Sequence, residues 1–291
     1  MRRRPAGLVA AVSIATMAYA VFLETTAAAQ SSAGAPQAAA ATAPAWNPPR
    51  TSDGQPEMQG NWSQRGLSIL SFGLEEGPSA EHQKMAGQIR QINRPNAVVD
   101  PPDGKLPYQP WAAAQRNAVR DNHTNLTKRN QVDPQDRCFL NGATRFFSVG
   151  TFQFLQTPGQ VVMLSTFAHT FRVIRLDAGP PVGERIKLWQ GDSRGHWDGN
   201  TLVVTTTNHN DKTWFDKVGS FHSDQLKVVE RFTLVSPTTI EYRATIDDPK
   251  VFTRPWTIGF NLTKDADEHM IEEACYEGDL FGKESFAALP N

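Results

Sequence analysis

GHWDGNTLVVTTT, residues 195–207, has the pattern of a β-hairpin. Asp198-Gly199 separates two short runs rich in β-forming residues, and an Asp-Gly pair in that position favours a type I′ turn. Similar runs recur on both sides of this stretch, bounded by turn residues such as Thr157-Pro158-Gly159 and Ser236-Pro237-Thr238. No helical periodicity interrupts the series. The predicted strands are 145–149, 152–156, 161–167, 170–176, 185–189, 195–199, 201–207, 226–235, 239–246, 256–262 and 270–275.

A series of this kind predicts a mainly β protein, closed as a barrel or folded as a sandwich. We predict an antiparallel, lipocalin-like β-barrel of eight or more strands over residues 144–291. The likeness to lipocalins rests on the strand-turn-strand pattern of residues 189–204 and is an analogy of fold alone.

The first 29 residues have the features of a signal peptide. Three arginines at positions 2–4 precede an uncharged apolar stretch, 7–23, and alanines at 27–29 suit a signal peptidase. We therefore expect cleavage after Ala29 and a periplasmic or secreted protein that has no membrane span once the signal is removed. The alternative is an uncleaved anchor, for which the apolar stretch is short.

The segments that follow contain few core-forming residues. Residues 30–45 are rich in Ala, Pro and Ser and carry no charge, which predicts a flexible linker. Residues 46–143 contain ten prolines and are predicted to form an irregular arm that wraps on the barrel. Capping and spacing predict two short helices in this arm, over 79–92 and 110–121.

Cys138 and Cys275 are the two cysteines of the chain. In an oxidising compartment two cysteines most simply pair, so we predict a disulfide between them. The alternative is a catalytic cysteine with His169 or His222, although an exported free thiol would be prone to oxidation.

Composition and motifs exclude several classes of protein. The chain has 29 basic and 30 acidic residues and a pI of about 6.7, which gives no electrostatic signature of nucleic-acid binding. It has no GxSxG, HExxH, CxxC, Walker or GxGxxG motif. We therefore expect no cofactor. The spacing of His169, His196, His209 and His222 is not that of a metal site, so no metal is predicted either.

The connection 208–224 is the first candidate for a functional site. It is long for a hairpin, and long loops at the mouth of a barrel commonly carry function. His222 is the candidate general base, Asp211 the group that would orient it, and Trp214 part of an aromatic wall for an apolar substrate. The alternative is a polar surface loop covered by a Trp.

Two charged residues fall on apolar strand faces. Period-two alternation places Arg172 beside Ile174, and Glu230 beside Phe232. Buried charges are costly unless paired, so the two side chains either pair or face a ligand cavity. In a cavity, Arg172 would hold a carboxylate or an oxyanion. His169 is a second acid/base candidate.

Several motifs carry a resemblance that covers most of the chain after the linker. They are PRTSDGQPEMQGNW (49–62), FLQTPGQVVML (154–164), WQGDSRGHWDGNTLVV (189–204), NDKTW (210–214), HSDQLKVVERF (222–232) and DDP (247–249). With these motifs the chain resembles a large family of exported, uncharacterised bacterial proteins that carry a domain of unknown function. The resemblance implies a site, without a reaction, formed by His169, Arg172, Asn210, Asp211, Trp214, His222 and Glu230. His196 and Asp198 depart from the family pattern, which makes His196 a poor catalytic candidate.

These observations lead to a functional hypothesis. We expect an exported, cofactor-independent acid/base enzyme (a lyase, isomerase or hydrolase) that acts on a small apolar or aromatic molecule at the barrel mouth. One alternative is a non-catalytic periplasmic carrier of a small hydrophobic ligand, with Arg172 as its anchor. Another is a purely structural envelope protein. An enzyme needs at least two converging titratable groups, whereas a carrier needs an apolar cup with one polar anchor.

Overall fold

Nine β-strands close into a barrel in the computed structural model of the chain. The structure describes residues 46–64, 73–76, 97–123, 125–148, 150–177, 179–264, 266, 269–275 and 289. The strands are β1 Gly60–Ser63, β2 Val98–Asp100, β3 Thr151–Thr157, β4 Gln160–Ser165, β5 Phe171–Arg175, β6 Asp192–Asp198, β7 Thr201–Thr207, β8 Lys227–Ser236, β9 Thr239–Asp247 and β10 Trp256–Lys264. The order around the ring is β1-β3-β4-β5-β6-β7-β8-β9-β10, and β10 pairs with β1 to close it. β2 pairs with β10 as an additional strand. The predicted β-barrel is therefore confirmed.

One neighbouring pair in this ring, β5 with β6, is parallel, whereas the prediction was an antiparallel barrel. A closed ring in which every neighbour is antiparallel needs an even number of strands, and this ring has nine. The connection 176–191 supplies the crossover of about a dozen residues that parallel neighbours require. The strand predicted at 185–189 lies in this connection and is not a strand.

The Pro-rich arm contributes strand β1 to the barrel. Trp62 of β1 is fully buried, and its indole nitrogen Nε1 donates a hydrogen bond to the Met58 carbonyl at 2.9 Å. The sequence analysis predicted no strand in this arm. β1 has only four residues, and its hydrogen-bonding partners β3 and β10 are remote in sequence, so no local pattern reveals it.

Helix α1, Pro110–Asp121, has the predicted bounds and begins with proline in its first turn. The signal peptide 1–29, the linker 30–45 and the helix predicted at 79–92 lie outside the described residues. Among the described residues, no helix is both long and apolar enough to cross a membrane.

Two predicted strands at the edges of the barrel region have other conformations. Residues 270–275 form no strand. Thr144–Phe147 is a 3-10 helix that carries Phe147 into the aromatic core. The Phe147 ring lies 5.0 Å from the Tyr242 ring and 5.8 Å from the Phe232 ring, measured between centroids. Burying one such aromatic side chain contributes roughly 1.5–3 kcal/mol to stability.

Cys138 and Cys275 form the predicted disulfide, with their Cα atoms 5.8 Å apart. The bond joins the segment between α1 and β3 to the segment that follows β10. Because both sulfurs are paired, the alternative of a free catalytic thiol is wrong.

Candidate functional site

Three connections meet at the end of the barrel where β4, β7 and β9 finish. They are 166–170, 208–226 and 248–255, and we call this end of the barrel the loop end. Two further segments pack against them. Leu188 forms an isolated bridge with His209, and a Cβ added at Gly142 would lie 2.7 Å from the Thr213 hydroxyl.

His222 is buried at the loop end, and both of its ring nitrogens are engaged. Nε2 lies 2.6 Å from the Thr213 hydroxyl, and Nδ1 lies 2.9 Å from the Ser223 carbonyl oxygen. A carbonyl oxygen can only accept, so Nδ1 carries a proton. Burial lowers the pKa of His222 and favours the neutral ring. Nε2 of the neutral ring is therefore the acceptor for the Thr213 hydroxyl proton.

A buried carboxylate, Asp248, is coupled to His222 through Ser223. The Ser223 backbone N–H and hydroxyl donate to Asp248 at 2.5 and 2.8 Å. The negative charge of Asp248 opposes the effect of burial and raises the pKa of His222. We call Thr213, His222, Ser223 and Asp248 the His222 relay. The sequence analysis did not select Asp248, although the DDP motif at 247–249 was a signal that pointed to it.

Asp211 does not have the position expected of the group that orients His222. Its side chain is exposed, and the two ring nitrogens that it could contact are engaged by Thr213 and Ser223. Asp211 acts on His222 through its charge alone, which raises the pKa of His222 less than Asp248 does.

His209 lies beside His222 without a hydrogen-bond partner. The two rings are 5.8 Å apart between centroids, and His209 is 1 % exposed. Neither ring nitrogen makes a hydrogen bond of normal geometry with the described residues. Burial lowers the pKa of His209 well below its ordinary value, and protonation of His222 and the charge of Arg172 act in the same direction. An unsatisfied buried polar group costs about 1–3 kcal/mol, so its retention calls for an explanation.

Arg172 and Glu230 form a buried ion pair inside the barrel. The guanidinium donates to both carboxylate oxygens of Glu230, and its remaining bonds go to the hydroxyls of Ser193 and Thr206 at 2.9 and 2.7 Å. The Tyr242 hydroxyl donates to Glu230 at 2.9 Å. Pairing was one of the two alternatives that strand alternation left open. Arg172 is therefore not free to bind an oxyanion unless this network opens.

The remaining candidates shape the loop end or lie on its surface. His169 is exposed at the end of the 3-10 helix Phe167–His169 and has a positive φ of 47°. Burial raises the pKa of Glu273, and the charge of His169 opposes this effect. Asn210 accepts a hydrogen bond from the Lys212 backbone at 3.1 Å and stabilises a turn. Half-buried Trp214 forms an isolated bridge with Phe221.

A second buried charge cluster fastens the 208–226 loop to the arm. Asp216 accepts hydrogen bonds from the Leu74 backbone at 3.0 Å and from the Ser220 hydroxyl at 2.6 Å. Arg116 of α1 pairs with Glu76 and lies 4.0 Å from Asp216. Burial raises the pKa of Asp216. The sequence analysis missed this cluster because its members come from three separate segments of the chain.

In the part of the chain that the structure describes, no group of three His, Cys, Asp or Glu side chains could hold a metal ion. Comparison of the chain with protein-family models, curated proteins and solved structures finds no match. The candidate site consists of the His222 relay with His209 beside it.

Proposed function

We propose that the protein is an exported acid/base enzyme whose general base is His222. The observation that carries the proposal is the contact between Nε2 of His222 and the Thr213 hydroxyl at 2.6 Å, with Nδ1 held by the Ser223 carbonyl. A hydroxyl, an imidazole and a third group that orients the imidazole form the arrangement that activates hydroxyls in many hydrolytic enzymes.

The relay supplies each part of a proton transfer. Neutral His222 accepts a proton at Nε2 from the Thr213 hydroxyl, or from a substrate hydroxyl that replaces it. The ring then becomes positive, while its Nδ1–H remains bonded to the Ser223 carbonyl. The negative charge of Asp248, placed behind Ser223, stabilises the charged ring. This chemistry requires no nucleotide cofactor, and hydrolysis, elimination and isomerisation are all within its reach.

Export is part of the same proposal. The features of residues 1–29 support a secretory signal, and the Cys138–Cys275 disulfide is typical of an oxidising compartment. We therefore place the enzyme in the periplasm or outside the cell.

A non-catalytic carrier is the second candidate, and burial is the observation that favours it. Thr213 and His222 are each 2 % exposed, so a substrate reaches them only if the loop end opens. The predicted anchor of a carrier, Arg172, is engaged by Glu230, whereas His209 has both nitrogens available. A carrier would therefore use His209 as its polar anchor.

The two candidates differ in what happens to the bound molecule. The mature protein is incubated with a metabolite extract, and the consumption of each component is followed by mass spectrometry. We expect conversion by the wild type and a loss of about 10²–10⁴-fold in His222→Gln, because a general base contributes that much to rate. His196→Gln, at an exposed position, is the matched control. Equal conversion by His222→Gln, or binding of a molecule without its conversion, would contradict the enzyme proposal.

A further inference from the structure

We propose that His209 and Gln190 form a subsite for a hydroxyl group, and that the ligand is a small, neutral, apolar alcohol or phenol. This inference rests on the proposed function, because it names the substrate class of the same loop-end site. It begins from two buried side chains whose polar atoms have no partner among the described residues, namely the ring of His209 and Oε1 of Gln190.

Gln190 is joined to Gly191, whose backbone passes beside the His209 ring. Gly191 has φ +70°, and a Cβ added there would lie 2.9 Å from Cε1 of His209 and 2.6 Å from the Thr207 carbonyl oxygen. Only glycine lets the backbone pass this close to the ring. The Gln190 amide nitrogen donates to the Thr170 hydroxyl at 3.3 Å, which leaves Oε1 as an acceptor without a partner.

The hydrogen-bond donors and acceptors of His209 and Gln190 determine which functional group of a ligand fits between them. Neutral His209 offers one N–H donor and one acceptor nitrogen, and Gln190 adds an acceptor oxygen. A hydroxyl group both donates and accepts, so it complements this set.

Burial argues against a cationic ligand. Burial is the main reason that the pKa of His209 is lowered, and it disfavours an unpaired ammonium group in the same place; the nearby Arg172 is already paired with Glu230. A contact with the backbone of Thr206 raises the pKa of His209 and more than offsets the effect of Lys187. A neutral ligand therefore fits this environment better than a cation.

The subsite lies next to the His222 relay, which connects it to the proposed reaction. The His209 and His222 rings are 5.8 Å apart, and the Phe215 ring is 5.4 Å from the His222 ring. A hydroxyl bound at His209 thus places the rest of a small molecule near Nε2 of His222 and an apolar wall. The ligand would be recognised at one end by hydrogen bonds and at the other by aromatic packing.

Benzyl alcohol and phenol are the probes, with toluene as the matched molecule that lacks the hydroxyl, and binding to the mature protein is measured by titration calorimetry. We expect the wild type to bind the alcohols at least ten times more tightly than toluene. His209→Phe, which keeps a ring of similar shape, is expected to remove this preference and to leave toluene binding unchanged. Gln190→Met is expected to weaken alcohol binding in the same direction, and His196→Phe is the exposed control.

Thermal unfolding of the same variants separates a binding role from a structural one. Replacing an unpartnered buried ring by an apolar one is expected to leave the melting temperature of His209→Phe unchanged or raised. A lowered melting temperature, or the absence of alcohol preference in the wild type, would overturn the subsite. His222→Gln is expected to bind the alcohols normally while losing conversion of metabolites. The proposed function and the subsite can therefore fail separately.

Discussion

Arg172 and Glu230 are fully buried charges whose hydrogen bonds are made within the barrel. The guanidinium and the carboxylate bond each other, and hydroxyls of Ser193, Thr206 and Tyr242 complete the network. Removing one charge from such a pair leaves the other buried and uncompensated, and that is more costly than the pair itself is stabilising.

We therefore expect Glu230→Gln to lower the free energy of unfolding by about 3–5 kcal/mol, measured by urea denaturation. Glu241→Gln is the matched control, because Glu241 pairs with Arg243 on the barrel surface and such pairs contribute less than about 1 kcal/mol. A loss in Glu230→Gln as small as that of the control would show that the buried pair is not maintained in solution.

The two buried histidines make stability depend on pH. Burial lowers the pKa of both His209 and His222, so below about pH 6.5 the unfolded chain takes up protons that the folded chain does not. The free energy of unfolding should fall with decreasing pH, by up to about 1.4 kcal/mol per pH unit for each histidine. His209→Phe removes one of these contributions and should show a shallower slope between pH 6.5 and 5. The slope of His196→Phe should match the wild type, and equal slopes in all three proteins would contradict the burial of a neutral His209.

The sequence predicted the burial of some residues but not the partners of others. The burial of Arg172 and Glu230 followed from period-two alternation, which is a local property of a strand. His222 was selected for its chemical type in a long loop. Its partner Asp248 was not predicted because it lies 25 residues after Ser223, beyond β9, and the pairing of Lys227 with Asp247 across the long β8–β9 hairpin brings it to the loop.

At the level of elements, the β6–β7 hairpin was predicted correctly but its turn was not. Asp198 pairs with Thr201, so the central turn residues are Gly199 and Asn200. Of these two, Gly199 alone has a positive φ, at 60°, which is the pattern of a type II′ turn rather than the predicted type I′. In the observed register of the two strands, the central turn residues are Gly199-Asn200, one residue later than the predicted Asp198-Gly199.

Gly199→Val tests this turn. A Cβ at this position meets no atom within 4 Å, so the cost arises from backbone conformation alone. We expect a loss of at least about 1 kcal/mol, because a β-branched residue is strained at positive φ. Thermal unfolding that gives the same melting temperature for wild type and Gly199→Val would contradict the turn.

Other elements were predicted only as far as local patterns reach. β3 to β10 follow from short runs of β-forming residues between turn residues. β1 was missed because its pairing partners lie far away in the chain. The predicted strand at 145–149 became a 3-10 helix because Phe147 packs among the aromatic rings of the core, a tertiary contact that overrides local β-propensity.

At the scale of the whole molecule, the Cys138–Cys275 disulfide joins segments 137 residues apart in the sequence. A bond across so long a loop restricts the unfolded chain, and the loss on removing it is about 2–5 kcal/mol. We expect Cys138→Ala/Cys275→Ala to show this loss in urea denaturation, and reduction of the wild type to reproduce it. Two alkylated thiols in the unreduced protein, found by mass spectrometry, would exclude the bond.

Closure of the barrel also explains why the site was only partly predictable. The loop end gathers connections from five places along the chain, and their contacts depend on strand order. That order includes the parallel β5–β6 pair, which places 186–191 beside His209. No local pattern encodes this neighbourhood, so the contacts of Gln190 and Asp248 could be identified only from the fold.

The proposed chemistry requires that His222 is a neutral base whose Nε2 faces the Thr213 hydroxyl. Nitrogen-15 NMR of histidine-labelled protein reports the protonation of each ring nitrogen as pH is varied. We predict that at pH 7 His222 is neutral, with the proton on Nδ1 and none on Nε2, and that it titrates below pH 6.5 because burial lowers its pKa. A proton on Nε2 at pH 7, or titration at or above pH 6.5, would contradict the claim.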